Sequence, residues 1–181
     1  GTGLGEGARA FDLGCGNAMV AIALAQRFEL AVEAVEADPS MTQLARDRVA
    51  QAGAGDRVTV HQARSAEVLE TLGTPDMILA LGATDPAGLG RATPTQTFAG
   101  LAGRLPEGGW LLWGDLTWKG EPPAPLRTVT EITNLYADDA GWREAAAFAG
   151  LEVVWSETSP QDVWDAYVAE AVGSADAWLV G

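Results

Sequence analysis

The sequence predicts an α/β fold: a doubly wound, mostly parallel sheet with helices on both faces, in three α/β/α layers. Three observations predict it. Short apolar strand-like runs alternate with helix-like runs along the whole chain, the pattern of βαβ units with right-handed crossovers. Residues 76–81 (Asp-Met-Ile-Leu-Ala-Leu) are apolar without alternation after Asp76, as expected of a parallel strand buried on both faces. A Gly-x-Gly turn, Gly14-Cys15-Gly16, separates the first strand-like run from the first helix-like run, the place where such sheets approach a ligand with bare backbone.

Taken in order, residues 8–13 read as a first strand and residues 19–28 as a helix, with Met19, Ile22, Ala23 and Gln26 at helical spacing. Residues 30–36 read as a second strand. Pro39 and Ser40 open a helix to about residue 52 that sets Met41, Leu44 and Val49 on one face. The Gly53-Ala54-Gly55-Asp56 loop leads to a third strand at 57–61. A short helix at 65–72, the buried strand at 76–81 and a helix at 95–105 follow. Pro106-Glu107-Gly108-Gly109 is a turn before a fifth strand at 110–113. Residues 119–125 are a Pro-rich loop. A helix at 138–148 closes on Gly150 at its C′ position; a sixth strand at 151–156 and a last helix at 162–172 complete the expectation. No internal repeat or low-complexity tract breaks this single domain of residues 1–181. The chain starts with Gly1 rather than Met, so truncation at one or both ends is expected.

Composition narrows the function. The 181 residues are 48% hydrophobic and 20% charged, enough for one full core and too apolar for disorder. Lys and Arg total 11 against 25 Asp and Glu, a net charge of −14 with no basic cluster. That balance repels phosphate backbones and anionic membranes, so neither nucleic acid nor membrane is expected as a partner. Cys15 and His61 are each the one residue of their type, which excludes an internal disulfide, a multi-Cys zinc site and a poly-His metal centre; no metal is expected. The longest apolar run, 13–25, falls short of the ~20 residues that span a bilayer and has no basic start for a signal peptide. A cytoplasmic location is the expectation.

The chemistry points to the first turn. Asp12-Leu13-Gly14-Cys15-Gly16 lies between strand and helix, and Glu36 ends the next strand 20 residues after Gly16. Gly14 and Gly16 open the backbone, the helix N-terminus adds partial positive charge, and a carboxylate at the second strand tip suits two ribose hydroxyls. An adenosine-bearing ligand is the expectation; the competing reading is that Gly14 and Gly16 merely make a tight turn. A dinucleotide fingerprint wants a third glycine where Met19 stands, and has no place for Asp12.

The run Asp12–Gly16 resembles the first motif of class I S-adenosylmethionine-dependent methyltransferases. Pro75-Asp76-Met77-Ile78-Leu79-Ala80-Leu81-Gly82-Ala83 is similar to the family's fourth-strand motif. Leu105-Pro106-Glu107-Gly108-Gly109-Trp110-Leu111-Leu112 is similar to its signature before strand five. Gly114-Asp115-Leu116-Thr117-Trp118, Pro122-Pro123 and Gln161-Asp162-Val163-Trp164-Asp165-Ala166-Tyr167 resemble a bacterial subgroup that acts on small molecules. The resemblance spans roughly residues 9–169.

It implies a Rossmann-like enzyme that takes S-adenosyl-L-methionine and yields S-adenosyl-L-homocysteine. It implies a cofactor pocket at Asp12, Gly14, Cys15, Gly16, Glu36, Ala37, Arg64, Ser65, Leu81 and Gly82. Asp12 orients the loop and helps hold the methionine amino group, and Glu36 holds the ribose. The acceptor, a small molecule, is expected at Thr84, Asp85, Asp115 and Trp118, where loops leave strands four and five; Asp85 and Asp115 are the candidate catalytic carboxylates. A cap of the Asp85-Pro86 turn is the competing role for Asp85, and Asp115 is likewise a substrate contact or a loop cap. A homodimer is a further expectation.

The chain departs from the family pattern in four places. Ala18 stands where a glycine is usual, and Arg64 stands where an Asp accepts from the adenine amino group, although arginine has no acceptor. Asp85 stands where the subgroup tends to carry a histidine. The antiparallel seventh strand that normally ends the sheet has no candidate before Gly181, unless residues 177–180 begin it. Two other readings compete: a methyltransferase-fold binding module without catalysis, and an NAD(P)-dependent oxidoreductase, which lacks a Tyr-x-x-x-Lys pair because Lys119 is the one lysine. His61 is expected to be structural, and Trp113, Trp118, Trp142, Trp155 and Trp164 to be core residues more often than pocket walls.

Overall fold

A computed structural model describes residues 2–132 and 134–179. The chain folds as β1 (Arg9–Leu13), α1 (Met19–Phe28), β2 (Ala31–Glu36), α2 (Pro39–Gln51), β3 (Val58–Gln62), α3 (Ser65–Thr71), β4 (Met77–Leu81), α4 (Pro94–Ala102), β5 (Trp110–Gly114), α5 (Ala124–Thr130), α6 (Asp139–Phe148) and α7 (Gln161–Leu179). The five strands form one parallel sheet in the order β3-β2-β1-β4-β5.

Both sheet faces are apolar, and each collects its own helices. Ala10, Val32, Ala34 and Leu79 pack with Ile22 and Ala25 of α1 and Ala45 and Val49 of α2. Phe11, Leu13, Val35 and Ile78 pack on the opposite side with Val68 and Leu69 of α3 and Leu101 of α4. Phe11, Leu13, Ile78 and Leu79 are fully buried, and each contributes about 1.5–3 kcal/mol by leaving water. The three layers predicted from the alternating runs are therefore present. The order also places the topological reversal between β1 and β4, so that their carboxyl ends open the crevice where such sheets bind ligands.

Several expectations are corrected. Residues 151–156 form no strand: they join no ladder with β5, and both line a cavity of about 670 Å³ along the outer edge of that strand, together with Phe98 and Trp142. Val154 and Trp155 have strand-forming side chains but are 64% and 69% exposed, and side-chain propensity without a pairing partner does not make a strand. Residues 177–179, offered as the start of a seventh strand, belong to α7, and Val180 lies outside the described residues. A helix, α5, replaces the end of the expected Pro-rich loop, because proline in the first turn has no missed hydrogen bond there.

Candidate functional site

The loop after β1 is held open by backbone conformation. Gly14 and Gly16 have φ of +73° and +53°. A Cβ on Gly14 would lie 2.8 Å from the Cβ of Ala83, in the loop after β4, so only glycine lets these two loops touch. The amides of Gly14 and Cys15 both donate to the Val35 carbonyl at 2.9 Å, tying the turn to the tip of β2. Ala18 adopts φ +60° and is fully buried. The departure from glycine there is thus accommodated as a left-handed alanine, a strain of about 1–2 kcal/mol. The Asn17 side chain accepts from the Met19 amide at 3.2 Å, which supplies the cap that Ala18 lacks.

Two carboxylates flank this loop. Asp12 is 3% exposed, and its Oδ2 is buried with no partner. Burial pushes its pKa up from 3.8 to about 6, against a smaller opposing contribution from the Ala21 amide. Glu36 is the hub of the rim: Oε2 accepts from the Gly16 amide at 3.0 Å and Oε1 from the Asp38 amide at 2.8 Å. Asp38 in turn caps α2 through the Met41 amide at 2.8 Å. The Ala63 amide donates to the Glu36 carbonyl at 3.0 Å, bringing the β3 tip, with Arg64 and Ser65, to the same edge. Ala37 and Arg64 are exposed there, and Leu81 and Gly82 are exposed at the tip of β4. The ten residues expected around a cofactor thus come from the carboxyl ends of β1, β2, β3 and β4.

The acceptor-side candidates occupy the neighbouring loops. Thr84 is exposed. Asp85 has φ +49°, and its Oδ1 accepts from the amides of Leu89 and Gly90 at 2.7 and 3.0 Å, so its carboxylate caps its own loop. Asp115 differs. Its Oδ1 accepts from the Leu116 amide at 2.8 Å, while Oδ2 is buried without a partner, and burial raises its pKa. Trp118 is half-buried and donates through Nε1 to Glu131 Oε1 at 3.1 Å. Its ring meets that of Tyr136 edge to face, with centroids 6.3 Å apart. The Tyr136 phenol is pushed up by burial and by the charges of Asp115 and Glu131. Glu131, buried against Trp118, is a candidate that sequence reasoning missed; an acid after a Pro-rich stretch carries no signal of burial. Asn134 was missed too: it accepts from the Asp85 amide at 3.2 Å and donates to the Ala83 carbonyl at 3.0 Å.

The geometry agrees with the comparisons. Residues 10–109 match a family model described as Methyltransferase domain. The chain belongs to the methyltransferase domain family. Two solved structures of S-adenosylmethionine-dependent methyltransferases, from Geobacter sulfurreducens and Thiobacillus denitrificans, both in complex with S-adenosyl-L-homocysteine, share its fold. Each is 23% identical with a TM-score of 0.78, over 97% of this chain and 70% of the other. A curated tRNA1(Val) (adenine(37)-N6)-methyltransferase of Musicola paradisiaca is 38% identical over 96 residues, which are 50% of this chain and 38% of that protein. The chain therefore spans well under half the length of that relative.

The residues present fit S-adenosylmethionine as a bound group: a buried carboxylate with an unsatisfied oxygen, a glycine cradle and a rim carboxylate on the second strand. Burial together with the charges of Asp12 and Glu36 pushes the Cys15 thiol up to about 12, so it stays protonated at neutral pH, where its Sγ donates to the Gly16 carbonyl at 3.8 Å. His61 Nε2 sits 2.6 Å from Glu33 Oε2, a pair within the sheet. Trp113 and Trp142 pack with Phe98, whereas Trp155 and Trp164 are exposed. Among the described residues no group of three His, Cys, Asp or Glu side chains is placed to hold a metal, and no helix is long and apolar enough to cross a membrane.

Proposed function

We propose that this methyltransferase domain moves a methyl group from S-adenosylmethionine to a small-molecule acceptor seated at the tips of β4 and β5. The observation that carries the reading is the cofactor loop: Glu36 holds it at Gly16 while Asp12 lies buried beneath with an unpaired oxygen. When bound, S-adenosylmethionine supplies a methyl already activated by its sulfonium charge. The protein's part is then alignment and exclusion of water. Glu36 would accept from the ribose hydroxyls with the lone pairs that Gly16 and Asp38 leave free. Asp12 would face the methionine amino group. Asp115, with a free oxygen, would accept from the acceptor, and Trp118 would give it an apolar face.

A nucleic-acid acceptor is suggested by the printed name of the Musicola relative, but a net charge of −14 opposes approach of a phosphate backbone. NAD is opposed by Met19 at the third-glycine position. Calorimetric titration separates these ligands: S-adenosylhomocysteine is expected to bind saturably and NAD not to bind. Saturable NAD binding with no response to S-adenosylhomocysteine would sink the reading.

The affinity should also depend on pH. Because the folded Asp12 titrates near 6 rather than 3.8, the native state holds its proton more tightly than the unfolded chain. Asp12 therefore favours folding most below pH 3.8, and that contribution is lost as pH rises to about 6. A bound ammonium favours the ionised form. S-adenosylhomocysteine affinity should thus climb between about pH 5 and 7, by at most roughly tenfold per unit. Asp12→Asn should flatten that slope; an unchanged slope in the variant would place the titrating group elsewhere.

A further inference from the structure

Resting on the acceptor reading above, we propose that Glu131 is a positioning residue of the acceptor site: its buried carboxylate sets the Trp118 indole and the Tyr136 segment beside Asp115. Glu131 is only 7% exposed. Its Oε1 accepts from Trp118 Nε1 at 3.1 Å and from the Tyr136 amide at 3.5 Å, and its carbonyl accepts from Arg91 Nε at 2.7 Å. No Lys or Arg nitrogen forms an ion pair with the carboxylate among the described residues. Burying an acid without a cation is costly unless it is hydrogen-bonded, and here Oε1 takes both the Trp118 indole and the Tyr136 amide. What the carboxylate adds is direction, since it fixes the rotation of an aromatic ring that is otherwise half-free.

The surrounding bonds extend this fixation to both acceptor-side loops. The Trp118 amide and the Thr117 hydroxyl donate to the Ala137 carbonyl at 3.0 and 3.3 Å. The Leu135 amide donates to the Ala92 carbonyl at 3.1 Å, and Asn134 ties Ala83 to Asp85. The chain after α5 is thus laced to the loop after β4 on one side and to the loop after β5 on the other. Glu131 stands where Trp118, Tyr136 and the Arg91 loop meet, without itself being required to touch the acceptor.

The test compares Glu131→Gln, which keeps an acceptor oxygen for the indole, with Glu131→Ala. Trp118→Phe, which keeps a ring and loses the donor, serves if the alanine variant does not fold. Three quantities are read: S-adenosylhomocysteine affinity, hydrogen exchange of the Trp118 and Leu135 amides, and kcat/KM for an acceptor found by labelled-methyl transfer to a panel of aromatic amines and phenols. Glu131→Ala should leave cofactor affinity unchanged, speed exchange at both amides, and lower kcat/KM about ten- to a hundredfold through KM. Glu131→Gln should stay within about threefold of the native protein. Unchanged exchange and kinetics in Glu131→Ala overturn the proposal. So does a glutamine variant as impaired as the alanine one, which would make the charge, not the geometry, what matters. A native protein that binds S-adenosylhomocysteine yet methylates nothing in the panel counts against the acceptor reading alone, and amide exchange then decides the role of Glu131.

Discussion

Replacing Glu36 by alanine is expected to weaken S-adenosylhomocysteine binding by about 1.5–3 kcal/mol, roughly ten- to a hundredfold, with the sheet intact. The residue has two duties at once. Its oxygens already receive the Gly16 and Asp38 amides, so its removal loosens the Gly16 end of the cofactor loop and the Asp38 amide before α2, while the Gly14 and Cys15 amides stay on the Val35 carbonyl. It would also be the acceptor for two ribose hydroxyls. Glutamine makes the test sharper. Its Oε1 could replace one carboxylate oxygen, but its amide nitrogen would then point hydrogens at a backbone donor. Glu36→Gln should therefore be nearly as damaging as Glu36→Ala, although it conserves size and polarity. Calorimetry on both variants, with circular dichroism as the control for folding, checks this. Unchanged affinity in either variant would place the ribose elsewhere.

Much of this site was legible because backbone geometry leaves marks on the sequence. Gly14 must be glycine, for its φ is positive and Ala83 leaves no room for a Cβ, and the acid closing β2 is placed to receive the Gly16 and Asp38 amides. The unalternating 77–81 run announced a strand covered on both faces, and it lies between β1 and β5. The failures share a different cause. Whether residues 151–156 form a strand depends on what pairs with them, a property of the assembled sheet that Val153, Val154 and Trp155 cannot encode. Glu131 was illegible for the same reason: only the folded chain brings Trp118 and Arg91 to it across 13 and 40 residues of sequence. The seventh strand of the family's sheet is not among the described residues, and the cavity beside β5 lies along the edge it would extend.

Asp115→Asn is expected to lower kcat/KM for the acceptor by about ten- to a hundredfold while cofactor affinity is retained, and Asp85→Asn is expected to do almost nothing. The contrast follows from the hydrogen bonds. Both Asp85 amide partners fall on Oδ1, which asparagine keeps, and asparagine tolerates the left-handed φ of +49° better than most residues. Its role as a loop cap is thus preserved in the variant, and only its removal in Asp85→Ala should destabilise the loop. Asp115 has one oxygen on the Leu116 amide and one buried without a partner. An acceptor that donates a hydrogen bond would satisfy the second oxygen, and an amide NH₂ in its place would repel that donor. Burial raises the Asp115 pKa, so its accepting form is gained only as pH climbs past its ordinary carboxylate range. The acid limb of the kcat/KM profile should accordingly lie higher than for an exposed Asp and should vanish in Asp115→Asn. Trp118→Ala should raise KM with little change in kcat, since an apolar wall binds ground state and transition state alike. Steady-state kinetics on Asp85→Asn, Asp115→Asn and Trp118→Ala, with melting temperatures measured with and without S-adenosylhomocysteine, separates the outcomes. Equal losses of stability in all three with normal turnover per folded molecule would remove the acceptor from this edge of the sheet. A dead Asp85→Asn beside an active Asp115→Asn would exchange the roles of the two carboxylates.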